Sequence, residues 1–313
     1  MSARPELLVT APIHAPALAA LEREFTLHRL WTAPDREAFV REIAARVRGV
    51  VTTGLAGCSR PLIDALPRLE IVACFGTPHG TVDLACARER GIAVTNTRDA
   101  IADTVADLAI GLVIAVVRRI CASDRYVRAG KWPEGPPPVG RELGGKTCGI
   151  VGLGRIGRNI ARRAEAFGMA PCYFGPHRKE DAPYPYPADL EAMARACDCL
   201  VLCCPLTEAT RNLVDDRILE ALGPEAFLVN VARGPVVNRE ALIAALKAGR
   251  IAGAALDVFW DEPNVPQELM AMDNIVLQPH MGSSTQEIRE ERGRKLLANL
   301  RAHFAGEPLL TPM

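Results

Sequence analysis

The run TCGIVGLGRIG, from Thr147 to Gly157, holds three glycines at the spacing Gly152-x-Gly154-x-x-Gly157. An apolar stretch precedes them and a helical stretch follows, which is the setting a dinucleotide-binding turn requires. Each glycine meets a separate need. Gly152 permits a tight turn, Gly154 lets the backbone approach a pyrophosphate, and Gly157 allows the helix to pack closely on its strand. The diphosphate then lies at a helix N-terminus, where free backbone N–H groups and the helix dipole favour an anion. Glycine-rich turns also arise for structural reasons alone, so it is the strand–turn–helix setting that favours a nucleotide.

The end of the next strand bears on which dinucleotide is bound. In NAD sites an acid about 20 residues on holds the ribose 2′-hydroxyl, whereas an arginine there accommodates the 2′-phosphate of NADP. Here the strand ends Cys172-Tyr-Phe-Gly175 and continues Pro176-His177-Arg178-Lys179, with no acid at its tip. A 2′-phosphate would meet Arg178, Lys179 and His177, so NADP (NADPH when the protein reduces) is the expected cofactor. Glu180 and Asp181 follow directly, which keeps NAD as the alternative.

These turns need elements to carry them. Apolar runs over 6–10, 26–30, 49–53, 69–75 and 93–95 alternate with helical stretches over 15–24, 36–47, 60–65 and 82–90. Such alternation predicts a parallel sheet with helices on both faces. A long helical segment is predicted over 100–129, followed by a Pro/Gly-rich loop over 130–140. A second series begins at Thr147, with strands over 147–152, 170–174, 200–204, 226–230, 253–257 and 275–277. Helices over 155–167 and 239–247 fall between them, and a last amphipathic helix spans 285–304.

Composition excludes several classes. At 313 residues the prior is two domains, and the hydrophobic fraction of 49% is that of a globular chain. Lys plus Arg and Asp plus Glu each number 37, so there is no basic excess and no nucleic-acid partner is expected. The apolar run from Val105 to Val117 is interrupted by Asp107 and is too short for a bilayer, which takes about 20 residues, so no membrane partner is expected either. No basic segment leads into an apolar one at the N-terminus, and a secretory signal is not expected. Of the ten cysteines, Cys148, Cys172, Cys199, Cys203 and Cys204 lie in or beside strand-like runs, where a thiol packs as a small hydrophobe. Cys197 and Cys199 form a C-x-C pair, but the Cys-Leu-Val-Leu-Cys run reads as buried strand without a histidine at finger spacing, so no metal is expected. Abundant unpaired thiols suit a reducing compartment, and the expected location is cytoplasmic.

The chain resembles the D-2-hydroxyacid dehydrogenase family, and within it the NADPH-dependent glyoxylate and hydroxypyruvate reductases. The resemblance covers nearly the whole chain and is carried by the runs at 91–97, 105–109, 149–157, 230–234, 257–263 and 278–282, in that order. It implies two doubly wound parallel-sheet α/β domains, a Rossmann cofactor domain inserted into a flavodoxin-like substrate domain. The substrate domain would take 1–98 and 285–313 and the cofactor domain 99–284, with the last helix returning to pack on the N-terminal part. The implied reaction is reduction of a small 2-oxo acid to the D-2-hydroxy acid.

Three residues match the family's catalytic set. Arg233 would hold the substrate carboxylate and polarise the carbonyl, a task for a planar fork that stays charged. His280 would donate the proton, and Glu262 beside it would favour the protonated ring and orient it. Taken singly, Arg233 is a turn arginine, Glu262 a surface acid and His280 a loop histidine. All three follow successive predicted strands, at the carboxyl ends where open α/β sheets bind ligands. The resemblance also implies cofactor contacts at Arg155, Ile156, Cys204, Pro205, Val231, Ala232 and Thr104, with Asp257 and Gly282 near the nicotinamide carboxamide. It further implies a homodimer through the long apolar helix.

One loop departs from the family. The usual Phe-Gly-Val-Gly-x-Asp, whose backbone N–H groups hold the substrate carboxylate beside Arg233 and His280, reads Phe75-Gly76-Thr77-Pro78-His79-Gly80 here. Gly76 and Thr77 are the expected substrate contacts, but Pro78 has no N–H to give. The Thr77 hydroxyl or His79 is the expected replacement. The alternatives are a reductase of a larger 2-oxo acid, a keto-aldonate or an aromatic pyruvate, and a non-catalytic NAD(P)-sensing protein like the corepressors that resemble this family. Those relatives carry long extensions, whereas this sequence stops soon after its last helix.

Overall fold

The computed structural model describes residues 4–78, 80–97 and 101–313. The chain divides into two compact units, one taking residues up to 100 together with Thr285–Met313, the other Ile101–Ser284.

In the first unit, β1 (Glu6–Val9), β2 (Thr26–Arg29), β3 (Val47–Thr53), β4 (Ile71–Phe75) and β5 (Ala93–Asn96) alternate with α1 (Ala15–Glu22), α2 (Arg36–Ile43), α3 (Arg60–Asp64) and α4 (Leu84–Glu89). The strands are all parallel, in the order β2-β1-β3-β4-β5. Successive strand residues point to opposite faces. Leu8, Val50 and Val72 therefore pack on one side with Ile43 and Ile63, and Leu7, Val51 and Ile71 on the other with Leu21. Helices start where a side chain takes up an orphan N–H: Asp35 receives Ala38 N–H at 3.0 Å and Asp83 receives Cys86 N–H at 2.8 Å. The helix expected over 36–47 is shorter. Val47 is fully buried and pairs with Glu6, so the strand claims it two residues early.

The second unit opens with α5 (Ala102–Val117) and α6 (Ile120–Arg128). The single helix expected over 100–129 is thus two. The Arg141 N–H takes the Val117 carbonyl at 2.9 Å, and Gly140 lies so close that a Cβ there would fall 2.8 Å from Arg118 Cα. Arg119 then adopts a left-handed φ of 54° and redirects the chain. The sheet comprises β6 (Thr147–Val151), β7 (Ala170–Phe174), β8 (Cys199–Leu202), β9 (Phe227–Asn230), β10 (Gly253–Leu256) and β11 (Ile275–Leu277). Between them run α7 (Arg155–Ala166), α8 (Leu190–Ala196), α9 (Asp216–Leu222), α10 (Arg239–Lys247) and α11 (Gln267–Met270). All strands are parallel, in the order β11-β10-β9-β8-β6-β7, so the order reverses beside β6 and opens a crevice at the carboxyl ends. Val201 and Val229 face α5 and α7, while Leu200 and Leu228 face the opposite side. Arg163 clamps α7 to α5 through Asp107 at 2.7 Å and Asp103 at 3.0 Å.

Eight of the ten cysteines are buried and pack as hydrophobes, with Cys121 and Cys203 partly exposed. Burial pushes the Cys58, Cys74 and Cys148 thiols up to about 12, so they stay protonated. Among the described residues no group of three His, Cys, Asp or Glu is placed to hold a metal ion, and no helix is long and apolar enough to cross a membrane.

The last helix, α12 (Gln286–Ala305), returns to the first unit and buries Leu296 and Leu300 with Leu7 and Ile71. Gly306, at φ 71°, ends it. The tail beyond runs antiparallel to β5, with Met313 N–H on Val94 O at 2.9 Å. Asn299, fully buried, holds this tail: its Oδ1 accepts from Leu310 N–H at 3.0 Å and Thr311 N–H at 3.1 Å, and its Nδ2 donates to Lys295 O and Thr311 Oγ1 at 2.9 Å. Asn299→Ala is expected to lower stability by about 2 kcal/mol, since backbone donors lose their partner. Urea unfolding checks this, and a change below about 0.5 kcal/mol would remove the clamp.

Candidate active site

The turn after β6 has the shape that the three glycines promise. Gly152 sits at φ 100°, and a Cβ there would fall 2.9 Å from Cys204 Cα. A Cβ on Gly157 would fall 2.2 Å from Gly152 O, so only glycine lets α7 start this close to β6. A Cβ on Gly154 would meet nothing within 4 Å. Gly154 caps α7 without a side-chain hydrogen bond, so the N–H groups of the first turn, which opens with Arg155 and Ile156, have no capping side chain and are left to a ligand or solvent. That cradle fits a dinucleotide diphosphate. Gly157→Ala is expected to weaken dinucleotide binding by about 10-fold or more, because relieving the overlap must move the turn. Calorimetric titration reads it, and an unchanged affinity would show that close packing here is dispensable.

The neighbouring turns lie along the same carboxyl edge. Cys203 follows β8, and its thiol donates to Gly152 O at 3.1 Å, with Cys204 and Pro205 next in line. The strand expected over 200–204 runs instead from Cys199 to Leu202, which frees Cys203 to turn toward the cradle. Beyond β7 the side chains of His177, Arg178 and Lys179 are exposed, and no ion pair among the described residues engages them. Asp181 is held by Arg158 at 2.7 Å, and that guanidinium keeps its carboxyl below the usual range. Thr104 lies half-buried in the first turn of α5.

After β9 the side chain of Asn230 shapes the chain. Its Oδ1 accepts from Ala232 N–H at 2.9 Å and its Nδ2 donates to Arg233 O at 3.0 Å, an Asx turn that carries Val231 and Ala232 and sets Arg233 extended. Gly234 then packs against the next loop, where a Cβ would fall 2.1 Å from the Phe259 carbonyl carbon. The Arg233 guanidinium donates to Ala232 O at 2.6 Å.

After β10 the same loop brings in Glu262. Its Oε1 accepts from Phe259 N–H at 3.0 Å, and its Oε2 lies 2.7 Å from His280 Nδ1. Asp257 holds the loop that carries the histidine: Oδ1 accepts from Met281 N–H at 2.6 Å, Oδ2 from Gly282 N–H at 2.9 Å, and its carbonyl from His280 N–H at 2.9 Å. Burial raises the Asp257 carboxyl from its ordinary value, with those two N–H groups opposing the shift. His280 itself sits at φ 55°, a region that costs a non-glycine residue roughly 1–3 kcal/mol. Its side chain is 40% exposed, against 22% for Glu262. Since Nδ1 is engaged by Glu262, Nε2 is the nitrogen presented outward, and no described residue bonds it.

Glu262 and His280 are therefore in direct contact, and Arg233 stands on the adjoining loop without bonding either among the described residues. Gly76 and Thr77 belong to the first unit, after β4, where Gly76 at φ 109° gives its N–H to Thr97 Oγ1 at 2.7 Å. His79 lies outside the described residues. Asn230 and Cys203 were not expected as site residues, although an Asn closing an apolar strand is itself an Asx-turn signal.

A parallel sheet with a glycine cradle at its switch point, and a histidine–carboxylate pair on the same edge, defines a dinucleotide-dependent oxidoreductase. The family model for the D-isomer specific 2-hydroxyacid dehydrogenase NAD binding domain matches residues 110–282. The chain belongs to that family. It is 45% identical over 307 residues to a glyoxylate/hydroxypyruvate reductase A of Arabidopsis thaliana, covering 98% of both chains. It is 44% identical, also over 98% of both, to a hydroxyphenylpyruvate reductase of Plectranthus scutellarioides. A solved structure of an NADPH-dependent glyoxylate/hydroxypyruvate reductase from Sinorhizobium meliloti, in complex with NADP and malonate, superposes with TM-score 0.85 at 40% identity, over 99% of this chain and 97% of that one. The second unit thus includes an NAD-binding domain, and the protein is an enzyme of the 2-hydroxyacid dehydrogenase type.

Proposed function

We propose that the protein reduces a small 2-oxo acid of the glyoxylate or hydroxypyruvate type to the D-2-hydroxy acid, with NADPH as the preferred cofactor. The observation that carries this is the 2.7 Å contact between His280 and Glu262 on the edge that holds the glycine cradle. The dinucleotide, when bound, supplies the hydride. Gly152, Gly154, Arg155, Ile156 and Gly157 bind its diphosphate. Cys204, Pro205, Val231, Ala232 and Thr104 line its path, with Asp257 and Gly282 at the nicotinamide end. His177, Arg178 and Lys179 meet the 2′-phosphate, and Asp181, already paired with Arg158, does not compete with it.

Arg233 binds the substrate carboxylate and draws electron density from the carbonyl. In this scheme the first unit is the substrate domain and residues 99–284 the cofactor domain; Gly76 and Thr77 are the proposed substrate contacts, with Thr77 the donor because the Gly76 N–H is already given to Thr97 Oγ1. His280 gives the Nε2 proton to the carbonyl oxygen as it becomes a hydroxyl. Glu262 holds Nδ1 and stabilises the charged ring. Reduction therefore needs the protonated ring and slows as pH rises, whereas oxidation needs the neutral ring and speeds up. Initial rates in both directions as a function of pH check the sign, and flat profiles would remove His280 as the proton donor.

A second reading, an aromatic pyruvate or other larger 2-oxo acid, is favoured by Pro78, which withholds an N–H from the substrate loop, and by the hydroxyphenylpyruvate reductase relative. NADPH oxidation with glyoxylate, hydroxypyruvate, hydroxyphenylpyruvate and a keto-aldonate, with NADH in parallel, decides between them. Binding of NADPH without turnover of any acid would leave only a sensor. A homodimer in the cytoplasm completes the proposal; most apolar residues of α5, through which the dimer is expected, are buried in the second unit's own core, and the apolar side chains left exposed there, Ile120, Val127, Trp132 and Val139, lie on and after α6.

A further inference from the structure

The turn that follows β7 is held by side chains that the reaction does not use. Tyr173 is 1% exposed, and its ring packs in the core with Ile150 and Ile160. A phenylalanine would fill that space equally well. Its hydroxyl instead reaches six residues along the chain and accepts the Lys179 N–H at 2.7 Å. Tyr186 tilts against Tyr173 at 5.1 Å between ring centres and stacks on Phe174, and its hydroxyl donates to Gly175 O at 2.7 Å. One tyrosine thus holds the start of the turn and the other its end. The irregular segment that returns Tyr186 is itself held by Tyr173 N–H on Pro185 O at 3.0 Å. Just past the turn, Asp181 is tied to Arg158, one residue beyond Gly157 of the cradle. Between the two hydroxyls stand only exposed residues, His177 and Arg178 among them.

We propose that the hydroxyls of Tyr173 and Tyr186 fix the turn over 175–179 in the shape that presents Arg178 and Lys179 to the dinucleotide 2′-phosphate, which makes both tyrosines positioning residues for cofactor choice. This rests on the NADPH reading above. Two exposed cations on a free turn would lose side-chain and backbone entropy on gripping a phosphate, and a turn already held has less to lose. A ribose 2′-hydroxyl makes no such demand on the cations, so NADH is indifferent to the brace.

The test is calorimetric titration of the full chain and its Tyr173→Phe, Tyr186→Phe and Arg178→Ala variants with NADPH, NADH and adenosine 2′-monophosphate. Each phenylalanine variant is expected to weaken NADPH and adenosine 2′-monophosphate about 5-fold, the worth of about one hydrogen bond, and to leave NADH within about twofold. Thermal melting confirms that each variant folds, and either tyrosine can be read if the other fails. If Arg178→Ala weakens NADPH while both tyrosine variants leave it unchanged, the brace is overturned and the NADPH reading stands. Equal losses for NADPH and NADH would make the tyrosines general supports of the fold and also overturn it. If the unaltered protein binds the two cofactors alike and Arg178→Ala changes neither, the NADPH reading falls and this inference falls with it.

Discussion

His280→Ala is expected to lower the rate of 2-oxo acid reduction by about 10²- to 10⁴-fold, the usual worth of a positioned general acid. The loss should fall on the chemical step, because the cradle at Gly152–Gly157 stands on a different turn and the variant leaves it intact. The ring is held at two independent points: Glu262 at Nδ1, and Asp257 through the backbone of residues 280–282. A side chain gripped in this way, with its backbone in a strained left-handed conformation, is oriented before any substrate arrives. Single-turnover oxidation of bound NADPH measures the step directly, and retention of more than about a tenth of the rate would place the proton donor elsewhere. Glu262→Gln separates orientation from charge. It keeps an acceptor for an Nδ1–H but removes the negative charge 2.7 Å from the ring, so the reduction rate should fall while dinucleotide affinity holds. A purely structural Glu262 would change the melting temperature and leave the rate of the chemical step where it was.

What could be read in the sequence was whatever depended on local spacing. The glycine cradle is contained in eleven consecutive residues that close on themselves, and Gly157 against Gly152 is the contact that the motif encodes. The alternation of strand and helix likewise follows from runs of a few residues, and both sheets form with every strand parallel. Arg233, Glu262 and His280 differ in kind. Nothing in a spacing of 18 residues says that Glu262 and His280 touch, and they were named through likeness to a family; the fold supplies the contact by returning two loops to one edge.

The features that escaped are those in which a distant segment overrides a local preference. The residues around Arg118 suit a helix, and only the arrival of Gly140 and Arg141 explains why it breaks there. Val47 sits in a helical pattern and joins a strand because Glu6 offers it a partner. Tyr173 reads as an ordinary strand aromatic until its hydroxyl is seen on the Lys179 backbone. Each of these needs a partner whose position no local window contains.

Arg233→Ala is expected to lower kcat/KM for a 2-oxo acid by about 30- to 5,000-fold, corresponding to the 2–5 kcal/mol typical when one member of a desolvated, hydrogen-bonded charge pair is removed. Arg233→Lys should recover little of it, since an ammonium offers a point charge where a planar carboxylate asks for a fork. A rival explanation has a physical basis, because the guanidinium donates to Ala232 O and so also braces its own turn. The two roles separate in their readouts. The turn is already set by Asn230 from one side and by Gly234 against Phe259 from the other, so loss of the Ala232 contact should cost little stability and little dinucleotide affinity. A carboxylate-binding role instead predicts a raised KM together with a lowered kcat, and partial rescue by added guanidinium ion. If the alanine variant melts several degrees lower, binds NADPH poorly and keeps its kcat/KM once saturated with cofactor, Arg233 is a turn residue and another group must hold the carboxylate.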